Sequence, residues 1–309
     1  MNKRELTAYV FPGQGSQWVG MAHDIYESSI QAREVFEEAD SSLGFALSRL
    51  CFEGSQDVLR QTINAQPAIL TVSTAYLRAG VQLNDKATLP SFVAGHSLGE
   101  YTALVAAQVL TFKDALYLAR ERGRLMQEAG ERNPGGMLAI IGLDEMAVRA
   151  VCDTTGIQIA NINCPGQIVV SGPAHLLTQA TELAKAKGAQ RVIPLQVSGA
   201  FHSHLMEPAV EGMSHAISTL TFRDATIPII ANTTALPLTS APALRAELLS
   251  QLLNCVQWQK SIEHMIKEGV TTFVEIGPGQ VLTGLIKRIS SKEVKAISIE
   301  NDNHRSDNS

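Results

Sequence analysis

Residues 92–107 read Phe92-Val93-Ala94-Gly95-His96-Ser97-Leu98-Gly99-Glu100-Tyr101-Thr102-Ala103-Leu104-Val105-Ala106-Ala107: an apolar strand-like run, a glycine-flanked turn and a helix-compatible run. Gly95 to Gly99 match G-x-S-x-G in the strand-turn-helix setting that a nucleophile elbow needs. Glycine on both sides lets the backbone bend sharply and leaves the serine Oγ exposed. The helix N-terminus that follows offers a backbone N–H and a favourable dipole to a developing oxyanion. The plainer reading is a Gly-rich turn in which Ser97 merely caps a helix; the flanking strand and helix favour the nucleophile. Adjacent residues on an elbow point different ways, so His96 reads as a packing or pocket-wall histidine.

Outward from the elbow, residues 7–11, 91–95, 226–231 and 271–276 read as buried strands between longer helical patterns, which implies a parallel sheet covered by helices. The middle of the chain differs. Strands at 137–142, 157–161, 167–171 and 190–197 and helices at 144–155 and 174–187 spell strand-helix-strand-strand-helix-strand, the split order of a ferredoxin-like unit. Pro134, Gly135 and Gly136 mark its entry and Ser198-Gly199 its exit. The expected fold is α/β: a large α/β-hydrolase-like domain with a parallel sheet (1–133 and 199–298), a small inserted ferredoxin-like α+β domain (134–198) and a disordered tail (299–309), with a cleft between the two domains.

The 309 residues, 45% apolar and 18% charged, suit a folded globular chain. A net charge of -5 with mixed signs leaves no basic footprint for nucleic acid. No apolar run reaches membrane-spanning length and no signal-peptide core follows Lys3 and Arg4, so a cytoplasmic protein that does not engage membranes is expected. Cys51, Cys152, Cys164 and Cys255 lie too far apart for a zinc or redox motif and read as reduced thiols.

On the helical pattern from Phe112 to Ala129, Ala115, Leu118, Ala119, Leu125, Met126 and Ala129 share one face with Arg122 at its centre. An arginine on a buried stripe requires a carboxylate, whether a substrate's or that of a residue such as Glu275, unless it snorkels to solvent. A serine nucleophile also requires a general base, and histidine has the suitable pKa. Of eight histidines, His202 and His204 lie on the exit from the inserted unit, where a loop can face the cleft. Sequence position leaves open which of the two works, and surface exposure is the plainer reading of either.

Four segments resemble the malonyl-CoA:acyl carrier protein transacylase family, including its stand-alone polyketide synthase members: Phe11-Pro12-Gly13-Gln14-Gly15-Ser16-Gln17, Gly95-His96-Ser97-Leu98-Gly99-Glu100, Gly199-Ala200-Phe201-His202-Ser203 and Glu275-Ile276-Gly277-Pro278-Gly279. The resemblance runs from about Ala8 to Ile289. It implies Ser97 as nucleophile, His202 as base, the backbone N–H groups of Gln14 and Leu98 as oxyanion hole, and Arg122 as clamp on the malonate carboxylate. It also implies Gln251 beside the histidine and Phe201 as the bulk that disfavours a methyl at C2 of the substrate, a discrimination of roughly 1–3 kcal/mol.

The implied reaction is malonyl transfer from malonyl-CoA to the phosphopantetheine thiol of an acyl carrier protein through a seryl ester, for fatty acid or polyketide synthesis. No metal and no cofactor beyond the coenzyme A thioester is expected, and the enzyme is expected to be a monomer. Lys185, Lys187, Arg191, Lys287 and Arg288 are candidates for docking an acidic carrier, although solvated surface charge is the plainer reading of each. A serine thioesterase or hydrolase shares the elbow, but its histidine would come late in the chain, where only His264 stands outside the tail. The malonyl-transfer subunit of a malonate decarboxylase, or a non-catalytic carrier-docking subunit, would look similar; an intact Ser97, His202 and Arg122 set argues against the latter.

Overall fold

The structure, a computed structural model, describes residues 6–80, 89–290 and 294–299. Its strands in chain order are β1 Leu6–Phe11, β2 Phe92–Gly95, β3 Gly135–Ile141, β4 Gln158–Cys164, β5 Gln167–Pro173, β6 Arg191–Pro194, β7 Ile229–Ile230, β8 Pro237–Leu238, β9 Val270–Glu275 and β10 Lys295–Ser298. One sheet has the order β10-β9-β1-β2-β7-β8 and the other β4-β5-β3-β6. The first is parallel except for the β7–β8 pair; the second is antiparallel throughout.

The two-residue period of a strand explains why the parallel strands read as continuous apolar runs. Phe11, Val93 and Ile229 enter one core, beneath the helices Thr62–Gly80 and Phe112–Arg132. Their neighbours Val10, Ala94 and Ile230 enter a second, with Trp258 and Ile262 of the helix Trp258–Lys267 and Leu285 and Ile286 of the helix Val281–Ile289. Both faces are therefore dry. In the antiparallel sheet, Leu138, Ile140, Ile168 and Val170 pack under the helices Glu145–Thr155 and Ala174–Ala186. Met137, Ala139 and Val169 point the other way and join the first core, so the two sheets share one buried surface.

Where β2 ends, the chain turns within three residues into the helix Gly99–Ala106. The turn packs against the end of β1: the His96 N–H donates to the Phe11 carbonyl at 3.0 Å. A Cβ on Gly99 would stand 2.1 Å from the Phe11 carbonyl oxygen, and one on Gly95 would stand 1.8 Å from the Gly99 carbonyl carbon. Because backbone cannot step aside as a side chain can, Gly99→Ala is expected to destabilise the protein by about 3 kcal/mol, read as a lowered urea midpoint. An unchanged midpoint would show that the elbow relaxes freely.

Three expectations change. The strand expected at 226–231 shrinks to Ile229–Ile230, because Pro228 has no N–H and the Thr226 N–H leaves the sheet for the Ala107 carbonyl at 2.9 Å. The strand expected at 190–197 narrows to Arg191–Pro194, although the Leu195 N–H still donates to the Met137 carbonyl at 3.0 Å. β8 and the edge strand β10 escape the sequence reading, being short and, in β10, opened by a lysine. Of the disordered tail expected at 299–309, Ile299 is instead half-buried against the first core, and residues 300–309 lie outside the described residues. Among the described residues no helix is long and apolar enough to cross a membrane.

Candidate active site

A cavity of about 210 Å³ opens where the elbow meets the second sheet; its wall includes Gln14, His96, Ser97, Arg122, Phe201 and His202. Ser97 has φ +52° and His202 φ +56°. A left-handed conformation costs a non-glycine residue on the order of 1–3 kcal/mol and persists only where the surroundings fix it. Here the two strained residues face each other, with Ser97 Oγ 2.7 Å from His202 Nε2.

The second ring nitrogen of His202, Nδ1, lies 2.7 Å from the backbone carbonyl of Gln251. A carbonyl only accepts, so Nδ1 carries the proton and Nε2 is free to accept from the Ser97 hydroxyl. The carbonyl thus fills the orienting place that a carboxylate holds in a Ser-His-Asp triad. His202 is buried, and burial, then the positive charge of Arg122, push its pKa down to about 3. Both causes disfavour the imidazolium, so the imidazole stands in its free form at neutral pH. Nitrogen chemical shifts of the ring are expected to report a neutral imidazole from pH 7 down to pH 5, where an ordinary histidine is mostly charged. A titration midpoint near 6.5 would contradict this.

Arg122, on the helix Phe112–Arg132, is 1% exposed at the centre of the apolar stripe. Its guanidinium donates to Gln66 Oε1 at 2.9 Å, to Gln251 Oε1 at 2.8 Å and to Ser97 Oγ at 3.2 Å. Among the described residues no carboxylate forms an ion pair with it. Glu275, the partner considered from sequence, instead accepts the backbone N–H groups of Leu282 and Thr283 at the start of a helix. Arg122 does not snorkel either. A buried guanidinium held by neutral amides beside a serine hydroxyl has the chemistry to receive an anion.

The structure also separates the two loop histidines: His202 is buried at the site, whereas His204 is exposed and bonds Gln158. His96 lines the cavity, with Nε2 2.8 Å from Asn163 Oδ1 and its ring edge-on to Trp258. Phe201 is buried in the wall, and the Gln14 side chain donates to Thr62 Oγ1 at 3.1 Å. Among the described residues the backbone N–H groups of Gln14 and Leu98 make no hydrogen bond. Gln251 joins the cluster from the helix Ala241–Leu253.

Gln66, Asn232 and Glu100 also belong to this cluster, and sequence reading gave none of them a role. Each is a polar residue 2% exposed or less, and for Gln66 the signal was available: a glutamine within the apolar run 65–72. Among the described residues no group of His, Cys, Asp and Glu could hold a metal ion.

The acyl transferase domain family matches residues 8–303. The chain is 47% identical over 297 residues to the malonyl CoA-acyl carrier protein transacylase of Bacillus subtilis, covering 94% of this chain and 92% of that one. A crystal structure of an acyl-carrier-protein-S-malonyltransferase from Bartonella henselae superposes with a TM-score of 0.91 at 44% identity, covering 95% of each chain. A malonyl-transacylase solved in complex with its type II PKS acyl-carrier protein superposes with a TM-score of 0.91 at 39% identity, covering 96% of each. With identity at this level over nearly the whole length, the chain belongs to the malonyl CoA-acyl carrier protein transacylases of the acyl transferase family.

Proposed function

We propose that this chain transfers a malonyl group from malonyl-CoA to the phosphopantetheine thiol of an acyl carrier protein through an ester on Ser97. The observation that carries the reading is the Arg122 guanidinium, buried, in no ion pair among the described residues, and 3.2 Å from a serine hydroxyl that is itself bonded to a neutral histidine. A nucleophile and base alone would serve any acyl thioester. The fixed cation beside them selects one whose acyl group ends in a carboxylate.

In the first half-reaction Ser97 Oγ attacks the thioester carbonyl and its proton passes to His202 Nε2. The Leu98 and Gln14 N–H groups receive the oxyanion, the C–S bond breaks, and the coenzyme A sulfur leaves with the proton from His202. In the second half the carrier thiol gives its proton to His202 and attacks the seryl ester. The C–O bond then breaks and Ser97 recovers the proton. The substrate carboxylate also offsets the Arg122 charge that holds the His202 pKa down, so the base strengthens when malonyl is bound.

A hydrolase reading fits less well, because the base sits on the loop after the second sheet while His264 lies in the helix Trp258–Lys267, away from the cavity wall. We also read the β4-β5-β3-β6 sheet as a ferredoxin-like domain spanning 134–198, inserted into an α/β-hydrolase-like domain at 1–133 and 199–298. Its strand order and its two helices on one face support this. Lys185, Lys187, Arg191, Lys287 and Arg288 are exposed, and among the described residues none is in an ion pair, which suits contact with an acidic carrier. We place the enzyme in the cytoplasm as a monomer, without a metal or further cofactor.

Intact-mass measurement after brief mixing with malonyl-CoA is expected to show one malonyl adduct that peptide mapping places on Ser97 and that a holo carrier protein discharges. An adduct on any other residue, or none, would remove the reading.

A further inference from the structure

Behind the cavity, one buried carboxylate touches both amides that hold the reacting residues. Glu100, 1% exposed in the first turn of the helix Gly99–Ala106, accepts the Asn232 backbone N–H at 3.0 Å and Asn232 Nδ2 at 3.1 Å on Oε1. Its Oε2 accepts from Gln251 Nε2. A carboxylate offers acceptors only, so both side-chain amides must turn their NH2 groups toward it. Asn232 Nδ2 also reaches the Gly95 carbonyl at 2.7 Å, and Gln251 Nε2 the Ser97 carbonyl at 3.0 Å.

The opposite ends of the two amides are thereby committed. Asn232 Oδ1 accepts the Ser97 N–H at 2.7 Å, and Gln251 Oε1 accepts Arg122 at 2.8 Å. The N–H and C=O of the strained nucleophile are therefore gripped by two side chains of fixed polarity. One of the two, Gln251, also supplies the backbone carbonyl that orients His202.

We propose that Glu100 is a positioning residue: its carboxyl oxygens, accepting from both, set the direction of the Asn232 and Gln251 amides and so lock the elbow, the base and the guanidinium into one arrangement. The inference rests on the transacylase reading of the site. Burial, then the nearby Glu247, push the Glu100 pKa well up, and the bonds from Asn232 and Gln251 oppose that push. N–H donors reach both of its oxygens, and a proton on either would present a donor to one of the amides.

The test is the rate of malonyl-seryl formation at saturating malonyl-CoA, read by intact mass, for the wild type, Glu100→Gln, Asn232→Asp and the double variant. Glutamine at 100 keeps the shape but must aim an NH2 at Asn232 or at Gln251, both of which offer N–H there. One amide then flips, and acylation is expected to slow about 100-fold, the scale on which small misplacements of reacting groups act. The half-saturating concentration should move less than the rate, because Gln66 still holds Arg122. Asn232→Asp alone sets two carboxylates face to face and is also slow. The double variant moves the carboxylate across the same side-chain contact and removes the repulsion of Asn232→Asp; it loses the bond to the Gly95 carbonyl and the one from the residue 232 backbone N–H, and is expected to acylate about threefold faster than Asn232→Asp while staying below the wild type. A wild-type rate in Glu100→Gln, or a double variant no faster than Asn232→Asp, overturns the proposal. If Glu100→Gln does not fold, the double variant against Asn232→Asp decides alone. Wild-type protein that forms no seryl adduct removes the transacylase reading instead, so the two failures are told apart.

Discussion

Ser97→Ala protein mixed with malonyl-CoA is expected to keep its unmodified mass, and its transfer to a holo carrier protein should fall by on the order of 10⁶-fold. The size of the loss follows from the route. A ping-pong exchange stores the acyl group on the enzyme between donor and acceptor, and in the described structure the Ser97 Oγ is the atom that meets a free imidazole nitrogen at 2.7 Å and the Arg122 fork at 3.2 Å. Alanine removes the attacking atom and leaves the oxyanion donors and the binding groups in place, so what survives is direct attack by the carrier thiol on bound thioester. His202→Ala should lose nearly as much, because the hydroxyl then has no proton acceptor. The double variant should lose little more than Ser97→Ala, since residues acting as one unit are not additive. Rate constants for all three, measured with the same carrier protein, check this. A Ser97→Ala protein that still forms the adduct, or losses that multiply in the double variant, would mean that the serine and the histidine act separately.

How far the site was legible depended on whether the signal was local. The elbow could be read because five consecutive residues carry the turn, its serine and the two close backbone approaches that demand glycine. Arg122 could be read as buried from its place on a helical stripe, but the stripe could not say what met it. The candidates were Glu275, solvent and a ligand, and only the fold separates them by showing Glu275 engaged with a helix start.

His202 and His204 are two residues apart in a loop, and no periodicity distinguishes them. The choice is made by φ +56° at His202 and by the Gln251 carbonyl 49 residues later. Asn232 and Glu100 stayed silent for a similar reason. Their meaning lies in contacts across 132 residues of chain, and an asparagine after a two-residue strand has no pattern of its own. The fold followed the same rule: long apolar strands were legible, while β8 and β10 depend on pairing partners rather than on their own composition.

Arg122→Ala is expected to lower kcat/KM for malonyl-CoA by about 10³-fold while changing that for acetyl-CoA far less, which turns a selective enzyme into an indifferent, slow one. A buried, charge-assisted fork to a carboxylate loses roughly 4 kcal/mol when one partner is truncated, and about 1.4 kcal/mol corresponds to each factor of ten. Acetyl-CoA carries no carboxylate, so this loss does not apply to it. Two smaller effects act on both donors: the Ser97 Oγ loses the hydrogen bond at 3.2 Å, and the His202 base rises once the neighbouring cation is gone. They oppose each other, because the first weakens the hold on the nucleophile and the second strengthens its proton acceptor. Arg122→Lys should fall between the wild type and alanine for malonyl-CoA, since it keeps the charge and loses the fork that Gln66 and Gln251 hold in place. Comparing kcat/KM for the two donors across the three proteins isolates the carboxylate contribution. If malonyl and acetyl transfer fall together by the same factor, Arg122 serves only to hold the elbow, and the preference for a diacid must come from elsewhere in the cavity.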